Sequence, residues 1–80
     1  MVRAYVLIDT DSAAGSSVLP RLRGLSLGNC LLVAEQMMPG EIVAHLHCSE
    51  RPDLTRALVE DISRLDGVKR TTLLMMTDQG

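Results

Sequence analysis

Two histidines two residues apart, in His45-Leu46-His47, come nearer to a catalytic or metal-binding pattern than anything else in this chain. On a β-strand that spacing puts both imidazoles on one face, where they could reach a single metal ion. Their expected cross-strand neighbours, Ala34 and Leu32, offer no ligand, and a third would have to come from Asp9, Cys30 or a second chain. The expectation is therefore no metal, with both rings packed in an interface. Ser16, Ser17, Ser49 and Ser63 read as caps and helix-surface residues, with no base beside any of them. The six glycines are spread as helix ends and turns and form no phosphate-cradling loop. Glu60 and Arg64 suit an ordinary i, i+4 pair. These residues point away from an enzyme and imply no cofactor.

The elements that would position them are legible from periodicity. Val2 to Thr10 alternates, with Val2, Ala4, Val6 and Ile8 on one face and Arg3, Tyr5, Leu7 and Asp9 on the other. Asp11 to Gly15 reads as a loop. Ser17 then suits the N-cap of a short helix, with Pro20 in the first turn, where a missing N–H costs nothing. Val18, Leu22 and Leu25 share a face of it, and Gly24 or Gly28 ends it. Cys30 to Met37 and Ile42 to Cys48 flank the turn Met38-Pro39-Gly40-Glu41 and predict a hairpin. Leu54, Ala57, Leu58, Ile62 and Leu65 follow helical spacing, opened by Pro52 or Asp53 and closed by Gly67. Lys69 to Thr77 is a last strand. The order predicts an α+β domain over residues 1–80, ferredoxin-like β-α-β-β-α-β, with a four-stranded antiparallel sheet and both helices on one face.

With Met38 set opposite Glu41, Leu31, Val33 and Met37 should join Ile42, Ala44, Leu46 and Cys48 beneath the helices. The opposite face would then carry Tyr5, Leu7, Leu32, Val43, His45 and His47. A solvated face should read polar, and an apolar patch of that size exceeds what monomers usually expose. The expectation is a homodimer through those six residues, its sheets packed face to face as in a dimeric α/β barrel. The same pairing puts Cys30 and Cys48 on opposite faces, a poor geometry for a disulfide.

Bulk properties agree. Eighty residues hide only about 60% of the surface the unfolded chain exposes, so a partner chain is the natural supplement. The net charge is −2, Tyr5 is the sole aromatic, and the basic neighbours are confined to Arg21/Arg23 and Lys69/Arg70, which argues against direct nucleic-acid contact. No apolar run reaches the length of a membrane span, and Met1-Val2-Arg3 opens without the apolar stretch of a leader. The expected place is the cytoplasm, with no membrane contact and both cysteines reduced.

Three stretches carry a family resemblance: Val2-Arg3-Ala4-Tyr5-Val6-Leu7-Ile8, Met38-Pro39-Gly40-Glu41, and Leu65-Asp66-Gly67-Val68-Lys69-Arg70-Thr71-Thr72. With them the chain resembles the effector-binding and oligomerisation domain of the Lrp/AsnC transcription regulators, in stand-alone form without the helix-turn-helix. The resemblance implies dimers that assemble into rings, a small amino-acid-like effector held between dimers, and partnership with full-length regulators. By position it implies effector contacts from Gly40, Glu41, Thr71 and Thr72. Ile42 and Val43 stand where the family usually has an aromatic residue and an aspartate. Two alternatives share the topology: an ACT-like amino-acid-binding domain, and a small dimeric α/β-barrel enzyme using His45 and His47.

Overall fold

Alternation governs the strand at the centre of the molecule. In β1 (Val2–Thr10) every even-numbered residue is buried, and in β3 (Glu41–Cys48) Ile42, Ala44, Leu46 and Cys48 are buried against it. The computed structural model describes residues 1–11 and 15–78, with the backbone alone at 15 and 16. After β1 come α1 (Gly15–Arg23), β2 (Cys30–Met38) and β3, then α2 (Arg51–Arg56) running into π-helical turns over Ala57–Ile62, and finally β4 (Val68–Asp78). The sheet is antiparallel throughout, in the order β2-β3-β1-β4. Both helices cover one face, where Val18, Leu22, Leu54, Ala57 and Ile62 meet the even-numbered residues of β1 and β3. This is the expected β-α-β-β-α-β ferredoxin-like topology. No helix among the described residues is long and apolar enough to cross a membrane.

The hairpin departs from expectation in one residue, with wide consequences. Met38 does oppose Glu41, but the register shifts between Gln36 and Met38, and from Gln36 back to Cys30 each residue pairs one place further along. Met37 is the extra residue of a β-bulge, and a one-residue slip turns every preceding side chain to the other face. Leu31 and Val33 are therefore exposed, while Cys30 and Ala34 are buried and Leu32 packs against the core. Leu32 thus leaves the expected dimer face for the helix-covered side. Cys30 lies directly opposite Cys48, with Cα atoms 4.1 Å apart, and the two form a disulfide. The expectation that they face apart and stay reduced is corrected by the same bulge.

The helices differ in detail as well. The expected loop over 11–15 falls mainly on residues 12–14, outside the described residues. Helix α1 already includes Gly15, so Ser17 is not its cap, and Pro20 lies inside it. In α2, Glu50 and Asp53 form a capping box, and Pro52 occupies the first turn, where no donor is lost. The wide turns beyond Arg56 end with the Ser63 N–H donating to Leu58 O at 3.0 Å. They change the spacing on which an i, i+4 pair depends, and Glu60 and Arg64 form no ion pair among the described residues.

Candidate functional site

Residues paired across an antiparallel sheet share a face, so the register writes out the uncovered side as cross-strand rows. One row runs Leu31, His47, Arg3, Thr77; the next runs Val33, His45, Tyr5, Met75. A third runs Glu35, Val43, Leu7, Thr72, and at the end of the sheet Glu41, Asp9 and Arg70 align. Leu31 (76% exposed), Val33 (63%), Met75 (59%) and Tyr5 (43%) show that none of the described residues covers the centre of that face. Five of the six expected interface residues stand together here: Tyr5, Leu7, Val43, His45 and His47. Leu31 and Val33 take the place of Leu32, a substitution concealed by the bulge.

The two histidines and the tyrosine form one ring cluster. The Tyr5 and His45 rings stack at 4.3 Å with 5° between planes, and His45 meets His47 edge-on at 4.3 Å. A shallow pocket of about 180 Å³ beside them is lined by Arg3, Tyr5, His45, Met75 and Thr77. No cluster of three metal-binding side chains exists among the described residues. Burial first, then the neighbouring His47 and Arg3, hold the His45 imidazole below its ordinary value of 6.5. A base whose folded pKa is depressed contributes stability above its unfolded pKa and loses it as pH falls toward the folded value. The urea midpoint should therefore fall on acidification through about pH 6.5, and His45→Gln should flatten that fall. Equal slopes in the two proteins would contradict the packing described for His45.

A second concavity lies where the hairpin tip meets the start of β4. A cleft of about 570 Å³ is lined by Asp9, Thr10, Pro39, Gly40, Lys69 and Arg70. Gly40, at φ +84°, turns the hairpin, and its carbonyl accepts the Thr10 N–H at 2.8 Å, which fixes the tip against the end of β1. Arg70 donates from Nε and Nη2 to Asp9 Oδ2 at 3.2 and 3.1 Å. Lys69 forms no ion pair among the described residues. The buried Thr10 hydroxyl at the edge of the cleft has no hydrogen-bond partner among the described residues.

Of the four residues the resemblance assigned to an effector, Gly40 lines this cleft. Glu41 follows it, paired with Asp9 on the uncovered face. Thr71 lies beside Ile8 on the helix side, with its hydroxyl 3.4 Å from that of Ser63, and Thr72 lies beside Leu7. Neither threonine lines the cleft. Lys69 and Arg70 do, and the Lys69-Arg70 pair in the sequence was the signal for them.

No protein-family model matches the sequence, and no curated protein matches it. Solved structures share its fold, among them the following two. E. coli AsnC superposes with a TM-score of 0.71 at 16% identity over 99% of this chain. This chain spans about half of AsnC, 52% of that chain. An antibiotic biosynthesis monooxygenase superposes with a TM-score of 0.63 at 22% identity, covering 100% of this chain and 99% of the other.

Proposed function

We propose that this chain is an effector-sensing and oligomerising domain of the Lrp/AsnC type, which acts in the cytoplasm as an accessory to transcription regulators and performs no catalysis itself. The observation that carries this reading is the cleft at the sheet end, which joins the hairpin tip and the start of β4 within one subunit and offers both signs of charge. An amino-acid-like effector would set its carboxylate against Lys69 and Arg70 and its ammonium against Asp9 and Glu41. Charge-assisted hydrogen bonds of this kind are the stronger ones. Gly40 gives close backbone approach, and Thr71 and Thr72 would contribute only from a neighbouring dimer, across the junction at which rings are built. The homodimer forms through the uncovered sheet face, and full-length Lrp/AsnC regulators are the partners that chains of this shape could join.

A thermal-shift screen against the amino acids tests the reading. A ligand at a hundred times its dissociation constant stabilises the fold by about 2.7 kcal/mol. Glu41→Gln and Lys69→Met should each lower the affinity of a hit roughly 5- to 150-fold, from the loss of about 1–3 kcal/mol. A hit indifferent to both substitutions would place the effector elsewhere.

The pocket beside Tyr5 and His45 favours a second reading, a small enzyme that works on the sheet face, and the monooxygenase neighbour has the same fold. Under that reading a bound small molecule is consumed in a His45-dependent way. Under the first it is recovered unchanged.

A further inference from the structure

Strand β2 leaves its own pairing open. Cys30 to Ala34 is apolar at every position, so either set of alternate residues can turn toward the helices, and a strand specified so weakly is prone to slip. In the structure the bulge at Met37 turns Cys30, Leu32 and Ala34 inward and leaves the bulkier Leu31, Val33 and Met37 exposed. Without the bulge, the pairing of Met38 with Glu41 runs straight back along the hairpin. Leu31, Val33 and Met37 then lie beneath the helices, opposite Cys48, Leu46 and Ile42. The straight pairing buries the larger side chains and keeps the ladder unbroken, but it also turns Glu35 to the helix side.

What holds the bulged pairing is visible along the strand. Gln36 Nε2 donates to Met38 O at 2.7 Å across the bulge, and Arg23 Nη2 donates to Ala34 O at 3.0 Å. The disulfide is the contact that the straight pairing cannot make. The Ser49 N–H donates to Asn29 O at 3.1 Å, so Cys30 and Cys48 next to them form a non-hydrogen-bonded pair, the closely spaced kind, with Cα atoms 4.1 Å apart. A slip of one residue sets Leu31 opposite Cys48 and turns Cys30 to the other face, out of bonding reach. A cross-link compatible with only one of two packings shifts the balance toward that packing by its whole contribution.

We propose that the Cys30–Cys48 bond is a redox switch of strand register: oxidised, it locks β2 in the bulged pairing, and reduced, it lets the strand slip by one residue into the straight one. The exchange partner is a low-molecular-weight disulfide of the glutathione class. Two protein thiols and one such disulfide give the Cys30–Cys48 bond and two small thiols, the two hydrogens passing with the electron pair, and excess small thiol runs the exchange backward. The slip replaces Leu31, Val33 and Glu35 on the uncovered face by Leu32, Ala34 and Gln36. It also draws Met37 in from the hairpin end, beside the cleft. Glu35, brought to the helix side at the sheet edge, meets the Arg23 guanidinium, which gives up Ala34 O. The redox state at one end of the sheet thus reaches the other as a change of pairing, with no effector needed.

Cross-strand Hα–Hα contacts seen by nuclear magnetic resonance read the register directly, because non-hydrogen-bonded pairs bring their Cα atoms within about 4.5 Å. In the oxidised protein the Ala44 Hα should meet that of Ala34. After prolonged reduction with a dithiol, and in Cys30→Ala/Cys48→Ala without reductant, it should meet that of Glu35, a shift of one residue. Glutathione disulfide should restore the first contact in the reduced wild type. Deleting Met37 removes the extra residue, so that Cys30 lies opposite Cys48 without a bulge. That variant should still form the disulfide yet keep the Ala34–Ala44 contact in both redox states, which separates the slip from a general loosening on reduction. A reduced wild type or double-alanine variant that keeps the Ala34–Ala44 contact would make the bond a plain staple and overturn the switch. A reduced wild type that unfolds would overturn it as well, because the straight pairing would then be no stable alternative.

Discussion

Leu7→Asp should convert the protein to a folded monomer. Leu7 sits on the central strand, paired with Val43 on one side and Thr72 on the other, on the face the helices leave open. In the proposed homodimer a carboxylate there would be buried against the second sheet without a partner, at a cost of several kcal/mol, and each 1.4 kcal/mol weakens association tenfold. The fold itself should persist, because the core lies on the other side of β1. Leu32→Asp makes the contrast. Its side chain packs against the helix-side core, so that change should lower the melting temperature rather than the association constant. Sedimentation and thermal melts of both variants separate the two faces. A Leu7→Asp protein that stays dimeric with unchanged affinity would remove this face as the interface.

The second large effect should come from the bond between Cys30 and Cys48. It closes a loop of sequence separation 18, which in the chain-entropy account stabilises by about 3 kcal/mol. A domain of this size has a total stability of only about 4–12 kcal/mol, so the bond is a large share of it. A reductant should lower the urea midpoint of the wild type and leave that of a Cys30→Ala/Cys48→Ala variant unchanged. Both cysteines are buried, so reduction should become complete only under partly denaturing conditions or at long times. Equal midpoints for oxidised and reduced wild type would mean that the loop is already restrained in the unfolded chain. The cytoplasmic placement proposed above sets a condition here. Glutathione-poised compartments keep most thiols reduced, and there the burden of stability would shift to the dimer.

These two variants also mark where the sequence can and cannot be read. The order of elements follows from a period of two in Val2 to Thr10 and a near-helical period in Leu54 to Leu65. Both periods are long enough to outweigh local exceptions. The faces of β1 and β3 are legible for the same reason. The face of β2 is not. Cys30-Leu31-Leu32-Val33-Ala34 is apolar at every position, so alternation is silent, and nothing in Gln36-Met37-Met38 announces a bulge. One unannounced residue moved Leu32 into the core side, brought Cys30 over Cys48 and exposed Leu31 and Val33. Hairpin tip and start of β4 look remote in sequence, yet both flank the end of β1, and so they line one cleft.

The strand order β2-β3-β1-β4 has a consequence in time. β1 is synthesised before both of its neighbours: β3 must emerge before β1 gains one side, and β4 before it gains the other. The hairpin of β2 and β3, adjacent in the chain, can close first within microseconds once synthesised. At about 5–20 residues per second, β1 waits for seconds with Val2, Val6, Leu7 and Ile8 unshielded. The pairing that completes the sheet joins β1 to β4, strands far apart in the sequence, the kind of distant contact that slows folding. The nascent domain is therefore most in need of a chaperone early, and least so once residues 68–78 have cleared the tunnel and β4 has zipped along β1.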